Sequence, residues 1–218
     1  MIVERVRVWA WAGFAAQVVF VVAWLVAAAW QGGRYSVREH TISDMYAVGA
    51  PGGLFLVIVL TLCGLATILF ALLAVRPVLR PGGRAATVGA VLLALSIFGV
   101  GDLLSPFERE GCRLADPGCT DQLANAGGKL DSAISTIGIF LFLAAVFVLA
   151  AAMRRADGWR TWVWPARWTG IVFAVLLVAL VVAQVTGLGG LFERFLAAFG
   201  AAAIAALALR VARGPGHE

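Results

Sequence analysis

Six runs of about 20 mostly apolar residues, each long enough to cross ~30 Å of hydrocarbon as a helix, confine this chain to one kind of fold. They fall at about 8–30, 54–75, 85–104, 130–153, 168–186 and 191–209. Gln17 alone interrupts the first with an uncharged polar side chain, and Gln184 does the same in the fifth. Composition agrees: 62% of the residues are hydrophobic, 13% are charged, and the mean hydropathy is +0.95. Soluble domains are about half apolar. The expected fold is therefore all-α, a polytopic membrane bundle of six transmembrane helices. The 218 residues form one domain over 1–218, with no room for a separate soluble one. A secretory leader competes for the first run, but its apolar core would be about 7–15 residues, so a retained helix is expected.

The connections are short and marked by turn chemistry. Arg76-Pro-Val-Leu-Arg80-Pro-Gly-Gly-Arg84 separates the second and third runs, and Gly187-Leu-Gly-Gly190 the last two. Trp159, Trp162, Trp164 and Trp168 alternate with Arg160 and Arg167, the pattern of an interfacial belt. Two longer polar stretches remain, 33–52 and 105–129.

Charge divides unevenly between the two ends of the runs. One end collects eleven arginines (5, 7, 76, 80, 84, 154, 155, 160, 167, 210 and 213) against Glu4, Asp157 and Glu218. At the other, Arg34, Arg38, Arg109, Arg113, Lys129 and Arg194 face nine acids. The formal net charge of +5 thus marks topology and not a nucleic-acid partner. Positive-inside places both termini in the cytoplasm of a multi-pass cell-membrane protein and both polar stretches outside. Cys112 and Cys119 would then lie in an oxidising space and could pair as a disulfide. Two free thiols or a metal pair are the alternatives, though neighbouring His or Cys ligands for zinc are lacking. Cys63, inside an apolar run, is expected to be a small packing residue.

Ionisable groups at membrane depth are costly and usually face a cavity or a partner. Asp102, Asp131 and Glu193 sit at the ends of three runs, all on the side of the polar stretch that carries Asp44. Asp131 and Glu193 could each serve a helix N-terminus. Asp102 stands near a helix C-terminus, where an acid opposes the dipole and calls for a cation such as Arg34, Arg38 or Arg194. Asp44, Asp102, Asp131, Glu193 and His40 are the candidate catalytic groups, because closely spaced carboxyls in a dry cavity have their pKa values pushed apart. Arg38, Ser43, Tyr35, Tyr46, Gln17 and Gln184 are candidates for binding substrate, with Ser132 and Ser135 adding hydroxyls.

Several classes are disfavoured. Zinc hydrolases take two or three His ligands and haem sites commonly two, whereas His40 is the one usefully placed histidine, His217 lying in the tail. No phosphate-binding glycine loop precedes a Lys-Ser or Lys-Thr helix. No metal or other cofactor is expected. Gly200-Ala-Ala-Ala-Ile-Ala-Ala allows close helix approach inside the bundle or to a second copy, which is compatible with a homo-oligomer.

Tyr35-Ser-Val-Arg-Glu-His-Thr-Ile-Ser-Asp-Met-Tyr, followed by Gly49-Ala-Pro-Gly and an apolar helix, resembles the bacterial membrane-protein family catalogued as domain of unknown function 998. Gly64 and Arg76-Pro77 fit as well. The resemblance implies about six spans across essentially the whole chain. Many relatives carry His near the start of the fourth span where this chain has Asp131, which favours an all-carboxylate site here. The family name supplies no activity.

Two functional classes are expected. One is an integral-membrane enzyme doing acid–base chemistry on a membrane lipid, isoprenoid or other lipophilic small molecule from an extracytoplasmic pocket, with small membrane terpene cyclases as a loose analogy, by architecture alone. The other is a non-catalytic lipid-binding, transport-accessory or scaffold membrane protein.

Overall fold

A computed structural model describes residues 2–214, with the side chains of Ile2 and Val3 left undescribed. His217 and Glu218, read above as parts of a cytoplasmic tail, lie outside the described residues. Among the described residues, six helices are long and apolar enough to cross a membrane: α1 (Glu4–Ala28), α2 (Gly53–Val78), α3 (Arg84–Leu104), α4 (Ala126–Met153), α5 (Arg160–Gln184) and α6 (Gly189–Arg213). Among the described residues there is no strand. The chain is a six-span membrane bundle.

Each helix packs on its neighbours in sequence, and α1 packs extensively on α6, so the six close into a ring. Close packing uses small residues where lipid offers no hydrophobic drive for helix association. One polar pair within the spans ties two helices together: Gln17 Nε2 of α1 donates to Thr67 Oγ1 of α2 at 2.8 Å, deep in the bundle. α5 begins earlier than its apolar run suggests, because Trp162, Trp164 and Pro165 are already in or entering the helix. Proline is tolerated there since first-turn N–H groups have no intrahelical partner.

α3 is not continuous. Its regular part ends at Leu95; Ser96 takes an extended ψ of 175°, and a π turn follows over Ile97–Gly101. The Ser96 hydroxyl donates to Leu93 O at 2.7 Å, and the N–H groups of Gly99 and Gly101 donate to Ser96 O at 3.0 and 3.2 Å. Broken backbone at membrane depth persists only where protein re-satisfies it or a cavity adjoins it. Glycines on both neighbours make room. A methyl on Gly138 of α4 would stand 2.7 Å from Ile97 N, and one on Gly64 of α2 would stand 2.5 Å from Gly99 O.

The two polar stretches, 29–52 and 105–125, pack on each other at one end of the ring. Trp30 Nε1 and Gln31 Nε2 both donate to Pro51 O, closing the first into a loop. Val48 N donates to Glu110 O at 2.9 Å, and Arg109 donates through Nε and Nη2 to the carbonyls of Tyr46 and Ala47. Cys112 and Cys119 form a disulfide, with Cα atoms 5.7 Å apart. Beside it Arg113 pairs with Asp116 and donates to the backbone and side-chain oxygens of Gln31.

Candidate functional site

Inside the ring, beneath the two loops, lies a cavity of about 500 Å³ to which all six helices contribute. Its loop end is lined by Asp102 of α3, Asp131 and Ser135 of α4, Glu193 of α6, and Ser43 and Glu110 from the loops. Deeper, Phe20, Leu60, Phe98, Phe173 and Leu196 make an apolar floor. Phe173 stands eleven residues before the end of α5, or about 16 Å along the axis, so the cavity reaches roughly mid-membrane. Ser132 and Thr136 of α4 and Gln184 of α5, which also line it, are exposed and mark a side opening between those helices.

Of the residues expected to form a site, Asp102, Asp131, Glu193, Ser43, Tyr46 and Gln184 come together on this cavity. The buried Tyr46 hydroxyl donates to Asp131 Oδ1 at 3.1 Å. Glu193 reaches the loop: its two carboxylate oxygens share the Ile42 N–H, at 3.2 and 3.3 Å. Asp102 has no side-chain hydrogen bond to any described residue; the arginines expected to neutralise it are turned elsewhere. Arg38 is exposed. Arg194, 4% exposed, gives Nη1 to the carbonyls of Val37, His40 and Gly190 and Nη2 to the Tyr35 hydroxyl.

Asp44, His40, Tyr35, Arg38 and Gln17 do not line the cavity. Asp44 is fully buried between the loops, where Oδ1 accepts from Leu114 N at 2.6 Å and Gln122 Nε2 at 3.0 Å. Burial raises its pKa above the ordinary carboxylate value, against the Leu114 hydrogen bond. His40 Nδ1 accepts the Ser36 N–H at 2.8 Å and its ring lies 5.4 Å from that of Tyr35, a local turn. Tyr35 donates to Thr41 O, and burial pushes its pKa up to about 12. These residues hold the loop that roofs the cavity.

Glu110 was not among the expected residues, yet it lines the cavity and is 5% exposed. Ser43 Oγ donates to its Oε1 at 3.1 Å and Gln122 Nε2 to its Oε2 at 2.7 Å. Burial first, then the neighbouring Asp131, push its pKa up to about 8. Glu108 behind it is 2% exposed and is pushed up to about 8 by the same two causes. A loop has no periodicity that would point these side chains inward; the available signal was their place beside the cysteine pair. Among the described residues no three His, Cys, Asp or Glu are grouped closely enough to hold a metal ion.

A family model matches residues 14–210, which includes α2 to α5 in full, more than half of α1, most of α6 and both loops. The chain belongs to the family of proteins of unknown function DUF998. No curated protein and no solved structure matches it. In this DUF998 member, then, the cavity itself must supply whatever is inferred about chemistry.

Proposed function

We propose that this DUF998 protein is an integral-membrane enzyme whose cavity performs acid–base chemistry on a lipophilic substrate, a lipid or an isoprenoid. The carrying observation is the meeting of Asp102, Glu110, Asp131 and Glu193 at the polar end of one cavity with an apolar, phenylalanine-lined floor. Glu110, with a pKa near 8, holds a proton at neutral pH and is the general acid. Asp102, without a hydrogen bond to any described residue, is free to contact the substrate, while Tyr46 and Ile42 N–H orient Asp131 and Glu193. The side opening between α4 and α5 admits the substrate from the bilayer, and the phenylalanine floor would favour positive charge developing on it, as in a cyclisation. The loop end faces outside a cell membrane and both termini face the cytoplasm, a reading supported by the arginine bias and by the disulfide.

A second reading, non-catalytic binding of a lipid or service as a transport accessory or scaffold, is favoured by the structural duties of Asp131 and Glu193. The two separate in membranes of a host expressing the chain, with lipid extracts compared by mass spectrometry. The enzyme reading expects a species made by the wild type and absent in Glu110→Gln and Asp102→Asn at equal membrane insertion. Product retained in both variants removes these residues from catalysis, and no wild-type product favours binding alone.

A further inference from the structure

The acids of the cavity come without a cation of the protein's own inside it. Four carboxyls line it, and none has an arginine or lysine within ion-pairing distance among the described residues. The nearby guanidinium groups make their hydrogen bonds outside the cavity, although the charge of Arg194 still reaches Glu193 beside it: Arg194 bonds to backbone carbonyls and the Tyr35 hydroxyl, Arg109 to the carbonyls of Tyr46 and Ala47. Asp102 keeps its whole hydrogen-bonding capacity unused, and Asp131 uses one oxygen only. Uncompensated carboxylates beside a low-dielectric floor are costly, and a ligand that brought positive charge would repay that cost on binding.

The floor fits the same ligand. Phe20, Phe98, Phe142 and Phe173 form a continuous run of rings with centroids 5.8, 5.0 and 4.7 Å apart, three of the four lining the cavity. Ring faces attract cations, and ring edges and aliphatic walls accept an alkyl chain. A volume of about 500 Å³ lies in the range for a single small ligand. An anionic head would be repelled by whichever of these acids are ionised, and a neutral one would leave them uncompensated.

We infer that the cavity selects an amphiphile with an ammonium head, placed among Asp102, Asp131 and Glu193, and an apolar tail directed toward Phe98 and Phe173. This rests on the reading that the cavity is the ligand site, and it names the ligand class that reading leaves open.

The test uses the full chain purified in an uncharged maltoside detergent, titrated below micellar concentration with decylamine, decyltrimethylammonium and decanol. Binding is read by calorimetry and by the rise in melting temperature. Both ammonium probes are expected to bind at least about tenfold more tightly than decanol, and roughly tenfold more weakly to Asp102→Asn and Asp131→Asn. Glu39→Gln, which removes an exposed acid from the loop between α1 and α2, should bind them as the wild type does. Decanol binding as tightly as decylamine overturns the cation inference but leaves the cavity as a ligand site. Binding of none of the probes overturns both. If an Asp variant fails to fold, the wild-type contrast between decylamine and decanol still decides.

Discussion

Glu108 carries a cost that should be visible in solution. It is 2% exposed, and its Oε1 has no hydrogen-bond partner. Burial and Asp131 raise its pKa from 4.5 to about 8, so the folded chain binds this proton more tightly than the unfolded one. Its stabilising contribution is full below about pH 4.5 and is lost as pH rises through about 8. The melting temperature of the wild type in detergent is expected to fall between pH 5.5 and 8.5, and that of Glu108→Gln to fall less; equal slopes would show that this carboxyl is not the source. Three cavity acids were legible in the sequence because Asp102, Asp131 and Glu193 interrupt or border apolar runs, where charge needs a reason. Asp44, Glu108 and Glu110 were not sorted correctly by the same logic. Their positions follow from how two irregular loops stack, and neither spacing nor composition encodes which loop residue turns inward.

At the scale of elements, helix existence was written in the length of each apolar run, while helix shape was not. Nothing in Ala94-Leu-Ser-Ile-Phe-Gly-Val-Gly announces that α3 stops at Leu95 and resumes through a π turn. That break depends on Gly64 and Gly138, which stand on other helices. Gly138→Val is therefore expected to lower stability by about 2 kcal/mol or more, as overpacking does, and to shift the Phe98 ring that lines the cavity. Thermal unfolding in detergent measures the first effect. Ligand affinity at the folded variant measures the second. The disulfide makes a separate contribution: closing so short a loop is worth about 2.5 kcal/mol in the chain-entropy model. Loss of the Cys112–Cys119 bond on reduction should lower the melting temperature, whereas a Cys112→Ser, Cys119→Ser double variant should be insensitive to reductant.

For the whole molecule, the arginine bias and the disulfide both bear on which way the ring faces, and one experiment reads the answer. A membrane-impermeant maleimide applied to intact cells should label the chain at Cys112 and Cys119 only after reduction, and Cys63, buried in α2, should stay unlabelled throughout. Labelling that requires cell lysis would reverse the proposed orientation. The number of spans and their antiparallel succession were readable from hydropathy alone; the closure of α1 on α6 was not, since two apolar helices carry no mark of which neighbour they prefer. That closure has a consequence for how the protein is made. Residues about 170 positions apart must meet before the ring has an inside, because Phe20 belongs to α1 and Glu193 to α6. While the ribosome is still delivering α6, Asp102 and Asp131 stand on an unclosed ring of five helices. The nascent chain therefore carries its most lipid-averse surface until α6 arrives, and α6 acts as the keystone that hides it.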